Sequence, residues 1–404
     1  MTDIVTKLKS ISMLDTIVLT MTDIDRIITN PELFNPPLRT NYSTGEYYVE
    51  FGSRKHIYNP SSEQVYYPRF TITSTWINQK PAPCLKVELS LPKLLYQNNV
   101  DELALDELSL VISTLKDRLN EVGIMASLED VKNAPIRTIH FSKNILLKDN
   151  SATSVIGAIN KMPVTRRLEF NTRDYKNDGT ALYVDNNSYQ LCLYDKIADA
   201  FRSNRHTLDK DRTKHQQELL KTIKNTRLPI EILRFEVRIL KRYYLNALLQ
   251  KLGYPINPTL QQVLNPEMAM QILRCHWNLL VPPKSQFLLK FPSPNILNQV
   301  IDHLKRSGKK PDSDKTYAIA QFIHQIREYG YRNLEATHTS LFTRRTWYRK
   351  TKEYTNIINA ITEKSQRFIW VEDIEKALSE YKPMKIKELE QMYRNGFATP
   401  QIVN

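Results

Sequence analysis

Glycine, cysteine and long apolar stretches are all scarce in this sequence. Its 404 residues include only 9 glycines and show no repetitive tract, which argues against a fibrous or disordered chain. The three cysteines (Cys84, Cys192 and Cys275) are odd in number and far apart, so they indicate neither a disulfide framework nor a thiolate zinc site. No segment approaches the roughly 20 apolar residues that a membrane-spanning helix requires.

These absences lead to an expectation about where the protein acts. Residues 1–15 lack the apolar core of a secretion signal. Cysteines that are not arranged for disulfides are typical of proteins in a reducing compartment. We therefore expect a cytoplasmic protein that has no membrane partner.

Positive charge, by contrast, is in excess. Lys and Arg number 57 against 43 Asp and Glu, which gives a formal net charge of +14 at pH 7. Such an excess favours a polyanion as partner, because cationic side chains contact phosphates and release their counterions. Charge alone does not decide the matter, since many basic proteins bind no nucleic acid.

The pattern of apolar residues predicts an α+β domain. Alternation of apolar and polar residues, or a β-branched apolar run, predicts strands at 13–21, 84–93, 136–147, 180–196 and 232–240. A leucine-rich stripe with helical spacing predicts a helix at 101–123, ended by Gly123. We expect an antiparallel sheet with helices on its apolar face and a polar face left open.

Beyond the sheet the chain is mainly helical. Proline-containing joints and an exposed charged stretch at 305–315 divide it. We therefore expect an α+β domain over 1–250, a helical connector over 251–310 and a helical, DNA-binding region over 311–404.

Polar side chains on four of the predicted strands suggest a chemical site. If the strands share one sheet, Glu88, His140, Tyr194, Lys196 and Glu236 converge on its polar face. Glu88, His140 and Glu236 suit a divalent ion of the Mg²⁺ or Mn²⁺ class. A free phenol, with a pKa near 10, is a poor nucleophile. Beside a metal and the Lys196 ammonium, the phenolate of Tyr194 would be more accessible.

Each of these residues also has an ordinary explanation. The polar face of an antiparallel sheet is usually just solvated, and a lone histidine there is more often a hydrogen-bonded sheet residue than a ligand. Arg234 and Arg238 flank Glu236 on the same strand. They could pair with that carboxylate or contact DNA phosphates.

A basic, aromatic segment at 340–358 is the second candidate site. Preceded by a predicted helix from Thr316 to about Gly330, it is similar to the second helix of a helix-turn-helix element. The alternative is a solvated basic face over an aromatic core. Its candidate DNA-binding residues are Arg344, Arg345, Arg349, Lys350 and Lys352.

The order of several segments resembles a known family, the gene II-type replication initiators of filamentous phages and related plasmids. The resemblance covers about residues 13–360 and begins with the strand MLDTIVLTM. A Ser-x-x-Lys, Asn-x-Val stretch and the amphipathic helix follow at 87–103 and beyond. The central pair of motifs is LCLYDK (191–196) and ILRFEVRILKRYYL (232–245), and the C-terminal segment is 330–350.

The resemblance implies a rolling-circle nicking enzyme with an α+β, Rep-like endonuclease domain. Tyr194 would cut one strand of a replication origin and form a 5′-phosphotyrosine link with a free 3′-OH. Glu236 corresponds to a metal-ligating acid of the wider set of rolling-circle initiators. The implied partners are double-stranded and single-stranded origin DNA and a host helicase, polymerase and single-strand binding protein, in the cytoplasm of a bacterial cell.

One residue departs from the family pattern. Where the family commonly has Arg-Ile-Asp, this chain has Thr138-Ile139-His140, so a histidine stands at the aspartate position. Imidazole can still ligate a metal, with altered charge and preference.

Two other functions are alternatives to a replication initiator. One is a conjugative or mobilisation relaxase with the same chemistry, and the other is a non-catalytic origin-binding regulator that has lost its metal site.

Overall fold

The computed structural model describes most of the chain between residues 11 and 388. The described residues are 11–51, 54–62, 64–77, 79–104, 107–148, 150–162, 172–201, 213–225, 231–281, 296–308, 312–329, 334, 337–338, 340–341, 343–362, 369–380 and 382–388. Gly330, the expected end of the helix before the basic segment, lies outside them.

The strands follow one another along the first 240 residues. They are β1 (Ile11–Ser12), β2 (Leu14–Met21), β3 (Leu38–Thr40), β4 (Tyr47–Val49), β5 (His56–Tyr58), β6 (Arg69–Ile77), β7 (Lys80–Ser90), β8 (Leu103–Ala104), β9 (Ile136–Leu147), β10 (Thr172–Lys176), β11 (Ala181–Asp185), β12 (Tyr189–Asp195) and β13 (Glu231–Ile239).

Helices lie between the strands and dominate the second half of the chain. They are α1 (Ile24–Ile27), α2 (Leu91–Tyr96), α3 (Leu108–Glu121), α4 (Leu128–Asn133), α5 (Ala152–Lys161), α6 (Lys196–Phe201), α7 (Lys214–Asn225), α8 (Arg242–Lys251), α9 (Leu260–Val263), α10 (Pro266–Leu280), α11 (Ile296–Arg306), α12 (Ser313–Tyr329), α13 (Arg344–Thr362) and α14 (Ile369–Ala377). A short 3₁₀ helix covers Pro31–Phe34.

A nine-stranded antiparallel sheet is the centre of the fold. Its strand order is β10-β11-β12-β13-β9-β2-β7-β6-β5. The expected α+β class with a large antiparallel sheet is therefore confirmed. The alternation predicted for β13 holds, because Leu233, Phe235, Val237 and Ile239 are all buried on one face.

The helix predicted at 101–123 begins later than expected. Glu102 is buried in an ion pair with Lys143, and Leu103–Ala104 pairs with β1, so these residues are committed to other contacts before α3 starts. The predicted end is confirmed. Gly123 follows α3 with φ +76°, the left-handed conformation that glycine adopts without strain.

The apolar face of the sheet is covered by helices from distant parts of the chain. One core cluster joins the sheet to α5, α10 and α14, with Phe235 packed edge-on against Trp277 at 5.6 Å between ring centroids. The sheet domain therefore extends beyond the expected boundary at residue 250. It takes in residues 260–281 and 370–378, because the apolar face needs their side chains to exclude water.

A second, separate core is formed by α11, α12 and α13. Val300, Leu304, Ile319, Phe322 and Trp347 are buried within it. The expected region 311–404 is thus divided between two cores, since α13 packs here and α14 packs on the sheet.

The polar face is partly covered rather than fully open as expected. Ile232 lies on that face and is buried with Val100 and Ile386. The segment that includes Ile386 is held in place by two hydrogen bonds: the backbone N–H of Met384 donates to the Glu102 carboxylate at 3.0 Å, and that of Ile386 donates to the Asp101 carboxylate at 2.8 Å. Polar groups at this end of the face are consequently buried.

No helix in the described part of the chain has both the length and the apolar character needed to cross a bilayer.

We predict that Gly123→Ala destabilises the fold by about 1–2 kcal/mol, because a side chain in left-handed backbone is strained. The added Cβ would also lie 3.2 Å from the Thr29 hydroxyl oxygen. The free energy of unfolding in urea is the measurement. Gly123→Asn is the matched variant, since asparagine tolerates this conformation, and a loss as large as that of alanine would contradict the backbone explanation.

Candidate active site

The register of three adjacent strands brings the predicted catalytic residues together. Tyr194 on β12 is opposite Arg234 on β13, and Arg234 is opposite Asn144 on β9. Two residues further along β13, on the same face, Glu236 is opposite Cys192 on β12 and Ser142 on β9. Two residues beyond that, Arg238 is opposite His140. Tyr194, Glu236 and His140 therefore lie on neighbouring strands of one face.

Glu236 is at the centre of this cluster, where it accepts three hydrogen bonds and also lies beside His140. Its Oε1 accepts from Arg238 Nε at 3.0 Å and lies 3.3 Å from His140 Nδ1. Its Oε2 accepts from the Tyr194 hydroxyl at 3.2 Å and from Arg238 Nη2 at 3.3 Å. Burial alone would raise the pKa of Glu236, but Arg238, His140 and Arg234 together hold it well below its ordinary value. The group is an ionised carboxylate.

Tyr194 is held as a protonated phenol. Its side chain is 8% exposed, and burial raises its pKa well above the ordinary value, with Glu236 adding to the shift and Arg234 opposing it. The expected accessible phenolate is thus not the resting form, because a buried phenol that donates to a carboxylate keeps its proton. Deprotonation requires a base.

Lys196 is a second titratable group beside the Tyr194 ring. It is buried at the start of α6, with Nζ 5.8 Å from the centroid of the Tyr194 ring. Burial, and then the charge of Arg234, lower its pKa to about 7. The sequence predicts a permanent ammonium that stabilises the phenolate. In its place is an amine that is close to half protonated at neutral pH and can take a proton.

Arg234 is not on a DNA-binding surface. It is 2% exposed and pairs with Asp15 at 2.9 Å between Nη2 and Oδ2. Its Nη1 donates to Asn144 Oδ1 at 3.1 Å and to the Asn99 carbonyl at 3.3 Å. The expected phosphate contact is incorrect for Arg234, because every polar contact described for it is internal.

Asp15, the partner of Arg234, was not identified from the sequence. The pairing of β2 with β9 shifts register between Leu14 and Ile17. That irregularity allows both of those apolar residues to reach the core while Asp15 lies near the polar face. Simple alternation carries no signal of such a bulge.

Arg238 fits the first of its two expected alternatives. Its guanidinium pairs with Glu236, and its Nη1 donates to Gln190 Oε1 at 3.0 Å. Its side chain is still 30% exposed, so it lies where the cluster meets solvent.

Glu88 lies away from the cluster. It is on β7, which β2 and β9 separate from β13, and this corresponds to about 14 Å at the usual strand spacing. Its carboxylate pairs with Arg69 of the neighbouring strand β6. Glu88 shares the polar face as expected, but it is not a third ligand beside Glu236 and His140.

The cluster fits a divalent ion poorly. Glu236 and His140 are the two expected ligands that come together, and Arg238 already engages both carboxylate oxygens. Within the described residues, no group of three or more His, Cys, Asp or Glu side chains is arranged to hold a metal. Mg²⁺ and Mn²⁺ prefer a larger set of oxygen ligands.

The basic segment forms helix α13, with its aromatic and cationic residues on different sides. Arg345, Arg349 and Lys352 are exposed, whereas Trp347 is 2% exposed and packs in the second core. The backbone of α13 includes Arg344 and Lys350, but the side chains of these two lie outside the described residues.

The helix-turn-helix stays a prediction. Between α12 and α13 the described residues are 334, 337–338, 340–341 and 343, and the first five of these are helical. What the described residues show is an exposed basic helix face over an aromatic core.

Comparisons with models of protein families, with curated proteins and with solved structures find no match for this chain.

We predict that Lys196 makes the free energy of unfolding depend on pH. Because its folded pKa of about 7 lies below that of an unfolded lysine, near 10.4, the unfolded state binds more protons between these values. The folded state thus pays a penalty that is complete below pH 7 and disappears as the pH rises towards 10.

Replacing Lys196 with Met should therefore raise the stability relative to the parent at pH 6, and the difference should shrink by pH 10. Urea unfolding across this range is the measurement. Lys251→Met, at an exposed site on α8, is the control and should give a pH-independent difference. A constant difference for Lys196→Met would show that the amine is charged throughout.

Proposed function

We propose that this protein is a rolling-circle replication initiator, an origin-specific endonuclease and strand transferase that cuts one DNA strand with Tyr194. The observation that carries the proposal is the hydrogen bond of 3.2 Å from the Tyr194 hydroxyl to Glu236, beside the low-pKa amine of Lys196. Supporting it are the motif order shared with gene II-type initiators and the excess of positive charge. On this proposal the sheet domain is a Rep-like nicking domain.

The proposed reaction moves one proton and exchanges one bond. The Tyr194 oxygen attacks the phosphorus while its proton passes to the Lys196 amine. A bond from the phenol oxygen to phosphorus forms, and the bond from phosphorus to the 3′ oxygen breaks. The departing 3′ oxygen takes up a proton from the Lys196 ammonium and leaves as a 3′-OH. The 5′-phosphotyrosine link stores the energy of the bond for rejoining.

The residues around Tyr194 have supporting parts in this proposal. Glu236 orients the hydroxyl through its hydrogen bond, and Arg234 opposes the rise of the phenol pKa. Arg238 is the cation that lies at the boundary with solvent, where it can stabilise charge on a phosphate. Because Tyr194 is 8% exposed, the groups that cover it must shift before a phosphodiester reaches the hydroxyl.

A divalent ion, Mg²⁺ or Mn²⁺, is the cofactor that the family resemblance implies. Glu236 and His140 are the side chains that could hold it, and an ion would have to displace Arg238 from the carboxylate. The steps proposed above do not pass through an ion.

The proposed partners follow from the proposed reaction. Cutting an origin requires double-stranded DNA, and the displaced product is single-stranded. A host helicase, polymerase and single-strand binding protein would then extend the 3′-OH and handle the displaced strand in the bacterial cytoplasm.

A second candidate function is a non-catalytic origin-binding regulator. Two observations favour it: the raised pKa of Tyr194 and the lack of a third ligand next to Glu236 and His140 in the described residues. The two functions make opposite predictions for strand cleavage.

We predict that the protein converts supercoiled DNA of its own replicon to a nicked circle, and that Tyr194→Phe abolishes the nick. Phenylalanine fills the same space but lacks the attacking oxygen, so DNA binding should change less than twofold. Gel analysis of nicking in Mg²⁺, Mn²⁺ or EDTA is the measurement. Tyr183→Phe, on the neighbouring strand opposite Cys192, is the matched control and should keep its activity.

Two results would overturn parts of this proposal. Normal nicking by Tyr194→Phe would remove Tyr194 as the nucleophile. DNA binding by the parent protein without a nick in any of the three buffers would favour the regulator.

We also predict that Arg345→Ala combined with Arg349→Ala weakens binding to duplex origin DNA. Each lost phosphate contact should flatten the dependence of log affinity on log salt by about 0.9, so the slope should fall by about 2. Fluorescence anisotropy at several salt concentrations is the measurement. Lys241→Ala with Lys251→Ala removes the same charge from another exposed place, and an equal effect of the two doubles would rule out a specific role for α13.

A further inference from the structure

Three cations on the polar face of the sheet are separate from both sites described above. Lys55 immediately precedes the edge strand β5, Lys86 is on β7, and Arg137 is near the start of β9. Lys55 and Arg137 are exposed and Lys86 is half-buried. None of them belongs to the Tyr194 cluster or to α13.

The strand register explains how these cations come together. Lys86 is opposite Thr20 on β2, and the next strand in the sheet is β9. The pairing of β2 with β9 runs from Val18–Thr138 to Leu19–Ile136, which leaves Arg137 as the extra residue of a bulge. Bulges redirect side chains, and Arg137 lies only two strand spacings from Lys86, about 10 Å at the usual spacing.

The cluster holds three positive charges without a carboxylate partner among the described residues. Glu88, two positions along β7 from Lys86, is already paired with Arg69. Burial, and then the charges of Arg137 and Lys55, lower the pKa of Lys86. Like charges held together in this way repel one another, and an anion between them would relieve that repulsion.

The protein surface between this cluster and Tyr194 favours binding of an extended single strand of DNA over a duplex. Reading a duplex requires an element that enters a groove. The side chains beside Arg137 on this face, those of Val18, Thr20 and Thr138, are short and half-buried, and none of these strands can enter a groove. Arg137 is three residues from His140 on β9, about 10 Å, and His140 lies 3.3 Å from Glu236 of the Tyr194 cluster.

We propose that Lys55, Lys86 and Arg137 form a phosphate-binding site for single-stranded DNA. The site holds the backbone of a strand a few nucleotides away from Tyr194 and so fixes how that strand approaches the nucleophile. The evidence for the binding site is the cluster of cations alone, whereas the direction of the bound strand towards Tyr194 rests on the proposed function.

The test is binding of a fluorescent oligo-dT strand to the full chain with Lys55→Ala, Lys86→Ala and Arg137→Ala combined. Each contact to single-stranded DNA contributes about 0.7 to the salt slope, so the loss of three should lower the slope by about 2 and weaken binding at least tenfold at low salt. The matched control is Lys241→Ala, Lys251→Ala and Lys305→Ala, which removes three exposed charges from helical parts of the chain. It should change binding less than threefold.

The double variant Lys55→Ala, Arg137→Ala leaves the half-buried Lys86 in place and guards against a folding defect. It should lower the slope by more than 1. Unchanged oligo-dT affinity of either variant with native thermal unfolding would overturn the site, as would an equal loss with the control. Equal loss of duplex and single-strand affinity would overturn the assignment to a single strand.

Nicking is measured in parallel to separate the two proposals. A parent protein that never nicks, together with a triple variant that loses oligo-dT affinity, rejects the proposed function and supports the phosphate site. If the parent protein nicks DNA and the triple variant binds and nicks normally, the proposed function is supported and the phosphate site is rejected.

Discussion

The buried pair of Arg234 with Asp15 is the interaction on which the rest of the polar face depends. A guanidinium removed from water loses several kcal/mol of hydration, and only partners with good geometry compensate for this. Asp15 comes from β2, Asn144 from β9 and the carbonyl of Asn99 from the loop before β8. A single side chain on β13 therefore ties two other strands and a loop together, directly opposite Tyr194 in the pairing of β12 with β13.

The same burial shifts the pKa values of the two central groups in opposite directions. Low solvent exposure disfavours charge, so it raises the pKa of the Tyr194 phenol and lowers that of the Lys196 amine. The Tyr194 phenol therefore keeps its proton, while the nearby Lys196 amine is partly unprotonated and can accept one. Pairs of groups separated by their environment in this way are typical of sites that transfer protons. Glu236 stays ionised between them because Arg238 and His140 are close to it.

Much of the sheet could be predicted from the sequence, because alternation is a local property. The segment 136–147 was predicted as a strand and is β9, and the polar side of β13 was assigned correctly. The convergence of Tyr194, Glu236 and His140 followed from which face each residue takes. The prediction that Glu88 joins them was wrong, because the face that a residue takes does not tell which strands are neighbours.

What could not be predicted depends on contacts between distant parts of the chain. The bulge that directs Asp15 towards Arg234 breaks the alternation that sequence reasoning relies on. The covering of the polar face by Val100 and Ile386 joins residues that are 286 positions apart (386 − 100). The helices that cover the apolar face could not be assigned for a similar reason, because α14 completes the core of the sheet although α11, α12 and α13 precede it.

The place of α14 in the sheet core has a consequence for synthesis on the ribosome. The strands are complete once β13 has emerged, yet part of their apolar face has no cover until Trp370, Val371 and Ile374 have been translated. The helices of the second core are made in the interval and can close on one another first. The nascent chain therefore carries a sheet with a partly uncovered apolar face, which is prone to aggregate, during the translation of more than 130 further codons, from Ile239 to Trp370.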